Sequence, residues 1–498
     1  MDEKGKVQET MRQVLEMLET ELAGRRVFRY MEGEEIREIY GEQFFRNIRE
    51  TACLIRQKQL EGKKIGIIGK NSYEWIVNLC GIFWTGSVAV LLDREISAED
   101  LREYVLRVDL KGIFFDDSAE KTVKEADIDE RLIKISSADF YKSDGKWTEN
   151  ETEHKKKGED LACIFFTSGT TGKSKAVMMS ENGVRAGICN RILNSKFEAM
   201  LAVLPFHHLS GFSPLLNALY LGAEVCIAGD LKYFYQYLEV MKPDYVFVVP
   251  SMLRMLARKL KQGGPNGRDL GWNLQIINCG GASFCGEFLK MLLDHNIKVY
   301  QGYGASEAGA IGFFWEMTLE HPDTIGKPPE ELEIKIQDGE LYLKSKSLMM
   351  GYYGEKEETE KVLREGWYAT GDLCRMDEEG YVYLTGRKKN LIILSNGENV
   401  SPEEIERKLY KYEEICEATV GEEDNLIAAF IFPRYPEIIS EGEKEEIKAR
   451  IRRNVEEYNQ SVPIYRQIQK IHFLEEPGEK TSSGKIKRQN FGGKEDDR

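Results

Sequence analysis

The chain has 498 residues, of which 42% are hydrophobic and 31% are charged, so it can bury a large core and form two or three folding units. Acidic side chains outnumber basic ones by 84 to 69, and the net charge of −15 disfavours general binding to nucleic acids. The nine cysteines are dispersed singly, without the paired spacing of zinc ligands or redox motifs, which is typical of a reducing cytosol.

The N-terminal and the most apolar segments predict a cytoplasmic protein without a transmembrane segment. The first residues, MDEKGKVQETM, contain acids and lack the basic start and apolar run of a secretory signal. The most apolar stretch, residues 79–92, is interrupted by Thr85, Gly86 and Ser87 and is shorter than the ~20 residues that span a bilayer. We therefore expect a buried helix there that runs into a strand.

Short apolar runs alternate with helical patterns from Lys64 onward. The predicted strands are, in order, KIGIIG, VAVLLD, GIFFD, LACIFF, MLAVLP, AEVCIAG, DYVFVVP, LQIINC and KVYQGYG. Helices are predicted between them at EWIVNLCGIFW and over residues 98–105, 214–220, 233–241 and 288–293. This alternation predicts parallel βαβ units, and strands that are apolar throughout predict helices on both faces of a sheet.

The pattern changes in the last third of the chain. From Glu331, alternating segments such as ELEIKI and GELYLKS predict a small antiparallel or barrel-like sheet. After Gly386, the segments LIILS, SPEEIERKLY, ICEATV, LIAAFIF, KIHFL and a charged helix over 443–458 predict a compact α+β unit. We therefore predict an α/β fold with two domains. Residues 1–386 would form doubly wound mixed sheets plus the small β-barrel-like part, and residues 387–498 the α+β domain.

The strongest local signal is the segment LACIFFTSGTTGKSKAV, in which an apolar strand opens into a loop rich in glycine and hydroxyl groups. Glycines let backbone N–H groups turn inward, and hydroxyls and a lysine add donors for phosphate oxygens. The loop residues are Thr167, Ser168, Gly169, Thr170, Thr171, Gly172 and Lys173. The loop is not a Walker A motif, because Thr167 occupies the position of its first glycine. A solvated turn is the alternative interpretation.

Together with further strings in the same order, this loop resembles the adenylate-forming (AMP-binding) superfamily, which includes acyl-CoA synthetases. The further strings are LPFHHLSGF, NCGGAS, QGYGASE, GWYATGD, GRKKNLIILSNGENVSPEEIE and KTSSGKIKR, spread over residues 204–488. The resemblance implies an acid–thiol ligase. A substrate carboxylate would attack the α-phosphorus of ATP to give an acyl-adenylate and pyrophosphate, and the acyl group would then pass to a thiol.

The resemblance implies roles for ATP, Mg²⁺ and the residues around them. The loop from Thr167 to Lys173 would hold the β- and γ-phosphates, and Glu307 would bind Mg²⁺, which prefers oxygen ligands. Tyr303 would stack on the adenine base. Asp372 would accept both ribose hydroxyls, and Arg387 would support the sugar or phosphate side. The other residues expected in the ATP site are Gly281, Ala282, Ser283, Gly302, Gly304 and Ser306.

The resemblance also implies a catalytic lysine and a mobile C-terminal domain. Lys485 would bridge the substrate carboxylate and the α-phosphate, a role that suits a point charge on a flexible stem. The domain would hinge near Lys389 after adenylation and present Gly397 to the thiol, where a missing side chain admits a narrow pantetheine arm. Without the resemblance, Lys485 belongs to a solvated basic tail and Gly397 to an ordinary turn. The thiol would come from CoA or from the phosphopantetheine of a separate acyl carrier protein.

The segment LPFHHLSGF bears on the acid that is activated. No acidic residue lies between Leu204 and Leu215 to pair with the ammonium of an amino acid, so an uncharged acyl tail is favoured. His208 would be the catalytic gate residue near the carboxylate, with a core or surface histidine as the alternative. The residues expected either to line a hydrophobic tunnel or to form plain core are Phe212, Val248, Val249 and Met252.

The string GRKKNLIILSNGENVSPEEIE looks closer to bacterial medium- and long-chain fatty acyl-CoA synthetases than to amino-acid activators. A fatty acid is therefore the favoured substrate and CoA the favoured acceptor. The alternatives are an aryl-acid CoA ligase, a ligase that loads a standalone acyl carrier protein, and a nucleotide-binding regulator without turnover.

Overall fold

The computed structural model describes residues 10–128, 131–139, 156–167, 174–189, 196–261, 265–281, 288–395, 397–436, 439–479, 486 and 488. Within them the helices are α1 (Met11–Glu21), α2 (Gly41–Gln57), α3 (Tyr73–Trp84), α4 (Ala98–Arg107), α5 (Glu120–Glu125), α6 (Glu181–Ile188), α7 (Leu209–Tyr220), α8 (Phe234–Met241), α9 (Pro250–Leu260), α10 (Leu289–Asp294), α11 (Lys356–Val362), α12 (Pro402–Leu409) and α13 (Glu441–Gln460). The strands are β1 (Arg26–Glu32), β2 (Glu35–Tyr40), β3 (Lys64–Ile68), β4 (Val88–Leu92), β5 (Gly112–Phe115), β6 (Ile133–Ser136), β7 (Leu161–Thr167), β8 (Lys175–Ser180), β9 (Ala199–Ala202), β10 (Glu224–Ile227), β11 (Tyr245–Val248), β12 (Ile276–Gly280), β13 (Lys298–Tyr303), β14 (Phe313–Glu316), β15 (Glu333–Gln337), β16 (Glu340–Lys344), β17 (Gly351–Tyr352), β18 (Leu363–Arg364), β19 (Trp367–Met376), β20 (Val382–Arg387), β21 (Ile392–Ile393), β22 (Asn399–Val400), β23 (Ile415–Glu423), β24 (Leu426–Pro433) and β25 (Lys470–Phe473).

Two large sheets carry most of the chain. One has the strand order β17-β8-β7-β4-β3-β5-β6, with β3 to β7 parallel and β8 and β17 antiparallel. The other has the order β14-β13-β12-β11-β9-β10-β1-β2, parallel except at its edge strands β2 and β14. These mixed sheets confirm the predicted α/β class. The seven-stranded sheet also includes a strand from much later in the chain, since β17 pairs with β8.

A single hydrophobic core contains residues of both sheets and of the helix α3. Helix α3 begins where the Ser72 hydroxyl accepts the backbone N–H of Trp75 at 3.1 Å, which satisfies one of the free donors of its first turn. All of its residues except Glu74 are buried, and it is followed by the fully buried strand β4. The predicted buried helix and strand are thus confirmed. No helix within the described ranges is long and apolar enough to cross a membrane.

Helix α7 begins a turn earlier than the sequence predicted. The prediction placed its start near Pro214, but the helix begins at Leu209 and contains Pro214 as an internal residue. The His208 carbonyl accepts the N–H groups of Gly211 and Phe212 at 2.9 and 2.8 Å, so the first turn closes before the proline is reached. Pro214 removes one later hydrogen bond of the helix, the one to the Ser210 carbonyl.

The rest of the chain forms smaller units. Strands β15, β16, β18, β19 and β20 form an antiparallel sheet with its own core, as the alternating pattern predicts. Strands β23 to β25 pack with α12 and α13 around another core, which matches the predicted α+β unit. The guanidinium of Arg254, on α9, lies 4.9 Å from the ring centroid of Tyr410 in that unit. The division after residue 386 stays a prediction.

Candidate active site

A cavity of about 1030 Å³ lies where the carboxyl ends of β11, β12 and β13 meet α7 and the small antiparallel sheet. Parallel sheets place ligand sites at this edge, because the loops after neighbouring strands converge there. The predicted site residues that line the cavity are Thr167, His208, Gly281, Gly302, Tyr303, Gly304, Ser306, Glu307, Arg387 and Lys389.

The other predicted residues fall into three groups. Asp372 is joined to the cavity through hydrogen bonds to two of its lining residues. Gly397 is exposed, adopts a φ of +83° in a turn, and does not line the cavity. The residues that lie outside the described part of the chain are Ser168, Gly169, Thr170, Thr171, Gly172, Lys173, Ala282, Ser283 and Lys485.

Asp372 is the centre of a buried polar cluster. Its carboxylate, in a residue only 6% exposed, accepts the Tyr303 hydroxyl at 2.7 Å on one oxygen and Arg387 Nε at 2.7 Å on the other. Burial, and then the adjacent carboxylate, raises the pKa of Tyr303, so the phenol stays protonated as a donor. Each carboxylate oxygen has two lone pairs, so both oxygens retain room for a ribose hydroxyl, the role expected of Asp372.

Glu307 lies in a short turn that follows β13. Its carboxylate accepts the Tyr352 hydroxyl at 3.0 Å, and the Lys175 ammonium lies 4.6 Å from the Tyr352 ring centroid. Burial, and then the Glu307 charge, raises the pKa of Tyr352, which keeps this phenol neutral. One carboxylate at the cavity wall fits Mg²⁺ as proteins usually hold it, with phosphates and waters as the remaining ligands.

The two histidines of LPFHHLSGF have different surroundings. His208 precedes the first turn of α7 and lines the cavity. His207 is buried, with Nε2 3.4 Å from a carboxylate oxygen of Asp93, and its ring centroid is 4.2 Å from that of His208. Of the two histidines, only His208 lines the cavity, and its role as the gate residue stays a prediction.

The floor of the cavity is one face of the eight-stranded sheet. Gly280 on β12 pairs with Gly302 on β13, and Gly302 pairs with Phe314 on β14. A Cβ at Gly280 would lie 3.0 Å from the Phe247 ring and from the Gly302 carbonyl oxygen, which is tighter than most contacts of a real Cβ. The two glycines therefore leave space beside neighbouring aromatic rings. We call the part of the cavity over Gly280 and Gly302, between Phe247 and Phe314, the slot.

Four aromatic side chains border this slot. Phe197, Tyr245, Phe247 and Phe314 all line the cavity, and the ring centroids of Phe197 and Tyr245 are 4.5 Å apart. None of the four was singled out from the sequence. The signal that could have found them is the period-two alternation of strands such as YVFVV, which puts Tyr245, Phe247 and Val249 on one face.

The expected hydrophobic tunnel residues divide between cavity and core. Val249 lines the cavity. Phe212 and Val248 are buried in the main core at 1% and 0% exposure, and Met252 packs against that core without lining the cavity. Of the two alternatives, the structure favours plain core for Phe212, Val248 and Met252. The Val248 side chain points away from the cavity, because it lies between the lining residues Phe247 and Val249 in an extended segment whose side chains alternate between two faces.

Polar side chains lie on two sides of the slot. Ser213 and Asn217, on α7, are each 5% exposed and line the cavity, and the Asn217 amide nitrogen donates to the Ile188 carbonyl at 2.6 Å. Asn278, on β12, is 1% exposed and lines the cavity from the sheet side. The slot is thus walled by aromatic rings and carries buried hydrogen-bonding groups.

Comparison with known proteins is consistent with this geometry. The family model described as "AMP-binding enzyme" matches residues 22–353, and "AMP-binding enzyme C-terminal domain" matches residues 389–494. A 2-succinylbenzoate–CoA ligase of Bacillus cereus (strain AH820) is 28% identical over 378 residues, which cover 72% of this chain and 75% of that protein.

Solved structures share the fold over nearly the whole chain. An anthranilate CoA ligase in complex with anthranoyl-AMP superimposes with a TM-score of 0.84 at 19% identity, covering 96% of each chain. An O-succinylbenzoate coenzyme A synthetase of Bacillus subtilis in complex with AMP gives a TM-score of 0.80 at 22% identity, covering 97% of this chain and 98% of the other. Since the first family model spans more than half of its residues, the chain belongs to the AMP-binding enzyme family, and it is an AMP-forming acid–thiol ligase of the adenylate-forming superfamily.

Proposed function

We propose that the enzyme converts an aryl carboxylic acid into its CoA thioester through an acyl-adenylate. The observation that carries this proposal is the slot between Phe247 and Phe314, whose floor is the glycine pair Gly280 and Gly302. Aromatic pairs prefer offset-stacked or edge-to-face contact, and a floor without side chains accepts a flat ring. We therefore expect a benzoate-sized group to bind there.

A long alkyl chain fits the same slot poorly. Ser213, Asn217 and Asn278 line it and are all buried. An alkyl chain packed here would exclude water from those polar atoms that no protein group already bonds, without giving them hydrogen bonds, and buried polar atoms without partners are costly. The curated relative described above is also named for an aryl acid, 2-succinylbenzoate. These points favour the aryl-acid alternative over the fatty acid that the sequence favoured.

We assign separate steps of the reaction to the predicted site residues. Asp372, held by Tyr303 and Arg387, would orient the ribose and so direct the α-phosphorus toward the slot. Glu307 would hold Mg²⁺, which neutralises phosphate charge when bound. His208 would border the incoming carboxylate at the start of α7, and Lys485 would stabilise the charge that develops on the α-phosphate.

The test is acid-dependent release of pyrophosphate from ATP and Mg²⁺ with aryl, fatty and amino acids, each with and without CoA. We expect release with aryl acids, and faster turnover with an aryl-CoA product when CoA is added. Release with fatty acids alone would refute the proposal. An adenylate that forms from an aryl acid but that CoA does not discharge would refute CoA as the acceptor.

A further inference from the structure

Asn278 is a buried amide whose polar atoms make no hydrogen bond of standard geometry in the described part of the chain, although the Tyr245 hydroxyl lies near enough to interact with it. It is 1% exposed, and neither Nδ2 nor Oδ1 makes a hydrogen bond within the described part of the chain. Buried side-chain amides almost always have partners, because an unpaired one loses its hydration without compensation. The Tyr245 hydroxyl lies near this amide, and the amide oxygen has no hydrogen-bond donor within the described residues. Such an amide at a cavity wall indicates a ligand group that would pair with it.

The surroundings of Asn278 leave it open toward the slot. In the sheet it lies in register between Phe247 on β11 and Tyr300 on β13. The nearest floor position, Gly302, has no side chain, and a Cβ there would lie 3.2 Å from Asn278 Oδ1. The Tyr300 hydroxyl is engaged elsewhere, since it donates to Glu316 at 2.7 Å. A ligand bound in the slot, where we place the aryl ring, can therefore contact the Asn278 amide.

We propose that Asn278 determines specificity by binding a polar substituent on the ring of the acid, so that the substrate is an aryl acid bearing a hydroxyl, amino or carbonyl group. This inference rests on the proposed function, because it places the ring in the slot. The amide oxygen accepts from a hydroxyl or amino hydrogen, and the amide nitrogen donates to a hydroxyl or carbonyl oxygen. A hydroxyl group satisfies both atoms.

The neighbouring groups fit a neutral polar substituent better than a charged one. Tyr245 lies beside Asn278, and burial raises the pKa of its phenol, so it presents a neutral hydroxyl. Ser213 and Asn217 on the opposite wall are also uncharged. A charged substituent at this depth would lose its hydration without meeting an opposite charge. We therefore expect neutral hydroxyl, amino or acyl substituents to be preferred over a sulfonate or a trimethylammonium group.

The test compares isosteric substituents on one scaffold. We would measure kcat/KM for benzoates that carry a hydroxyl, an amino or a methyl group at the 2-, 3- or 4-position. At one position at least, the enzyme should prefer hydroxyl or amino over methyl by roughly 10- to 100-fold, since the methyl compound leaves the amide unpaired. In Asn278→Leu, an apolar side chain of similar size, the same ratio should fall to within about threefold of unity or invert.

The ratio is measured within one variant, so a general loss of activity does not affect it. Thermal unfolding and ATP binding show whether Asn278→Leu is folded. The control is Val249→Ala, which changes the same cavity without changing its hydrogen-bonding groups and should keep the polar preference. If aryl acids are activated but hydroxyl and methyl compounds stay within threefold at every position, or if the preference survives in Asn278→Leu, the inference is overturned. If no aryl acid is activated, the proposed function itself fails.

Discussion

Replacing Gly280 by alanine tests the shape of the slot directly. The new Cβ would lie 3.0 Å from two carbons of the Phe247 ring and from the Gly302 carbonyl oxygen, whereas packed carbon atoms prefer about 3.5–4.0 Å. The carbonyl belongs to the backbone of the neighbouring strand and cannot easily yield. The ring must therefore move by a few tenths of an ångström, and the open side is the cavity.

The expected magnitude follows from that displacement. Forcing one extra carbon into a packed site costs about 1–3 kcal/mol, and the loss of about one methylene of space changes substrate discrimination by about 10- to 200-fold. We therefore expect kcat/KM for a ring-substituted benzoate to fall by about 10- to 200-fold and that for benzoate itself to fall less. The KM for ATP should change less, even though Gly281 and Gly302 are expected in the ATP site, because Asp372 and Arg387, which are expected to hold the ribose, lie on the small antiparallel sheet.

The assay is pyrophosphate release at varied acid and fixed, saturating ATP, with thermal unfolding as a check on the fold. Gly304→Ala is the control for stability, because an added Cβ there meets no protein atom within 4 Å. The reasoning is refuted if folded Gly280→Ala treats substituted and unsubstituted benzoates as the unaltered enzyme does. A rise in the KM for ATP alone would equally show that the ring does not lie over Gly280.

Three further outcomes are expected. Lys485→Ala should abolish pyrophosphate release while ATP binding, measured by calorimetry, is largely kept; normal turnover would contradict the assigned role. Lys389→Pro should slow aryl-CoA formation more than adenylate formation in single-turnover measurements, and equal slowing of both steps would count against the hinge. Arg488 Nη2 lies 2.6 Å from Glu406 Oε2, so Arg488→Met should lower the free energy of unfolding by about 3–5 kcal/mol in denaturant titrations. The double variant with Glu406→Leu should recover part of that loss, and no recovery would show that the ion pair is not the cause.

Much of the fold could be predicted because most strands of the two large sheets are short apolar runs between turns. The segment from α3 to β4 is an example, since its polar interruption separates two buried elements. The elements before Lys64 were not predicted. Strand β2 alternates weakly, with one buried residue among six, and β1 pairs in parallel with β10, some 200 residues later.

The residues expected to bind the nucleotide lie within continuous strings that the sequence alone singles out, whereas the acid-binding slot that we propose could not be predicted. The slot depends on register across separate strands. Phe247 lies beside Asn278 only because β11 and β12 pair at those positions, and nothing in either segment alone shows it. The bond from Tyr303 to Asp372 joins residues 69 positions apart and depends in the same way on tertiary packing.

The paired glycines of the cavity floor also limit how this enzyme can diverge. Gly280 and Gly302 already have the smallest possible side chain, so any substitution at either position makes the slot shallower. A deeper slot must come instead from the rings around it, for example by trimming Phe247 or Phe314, both of which line the cavity. We therefore expect variants that accept larger acids to carry smaller residues in place of the aromatic side chains. Substitutions at the two glycines would instead narrow the range of substrates.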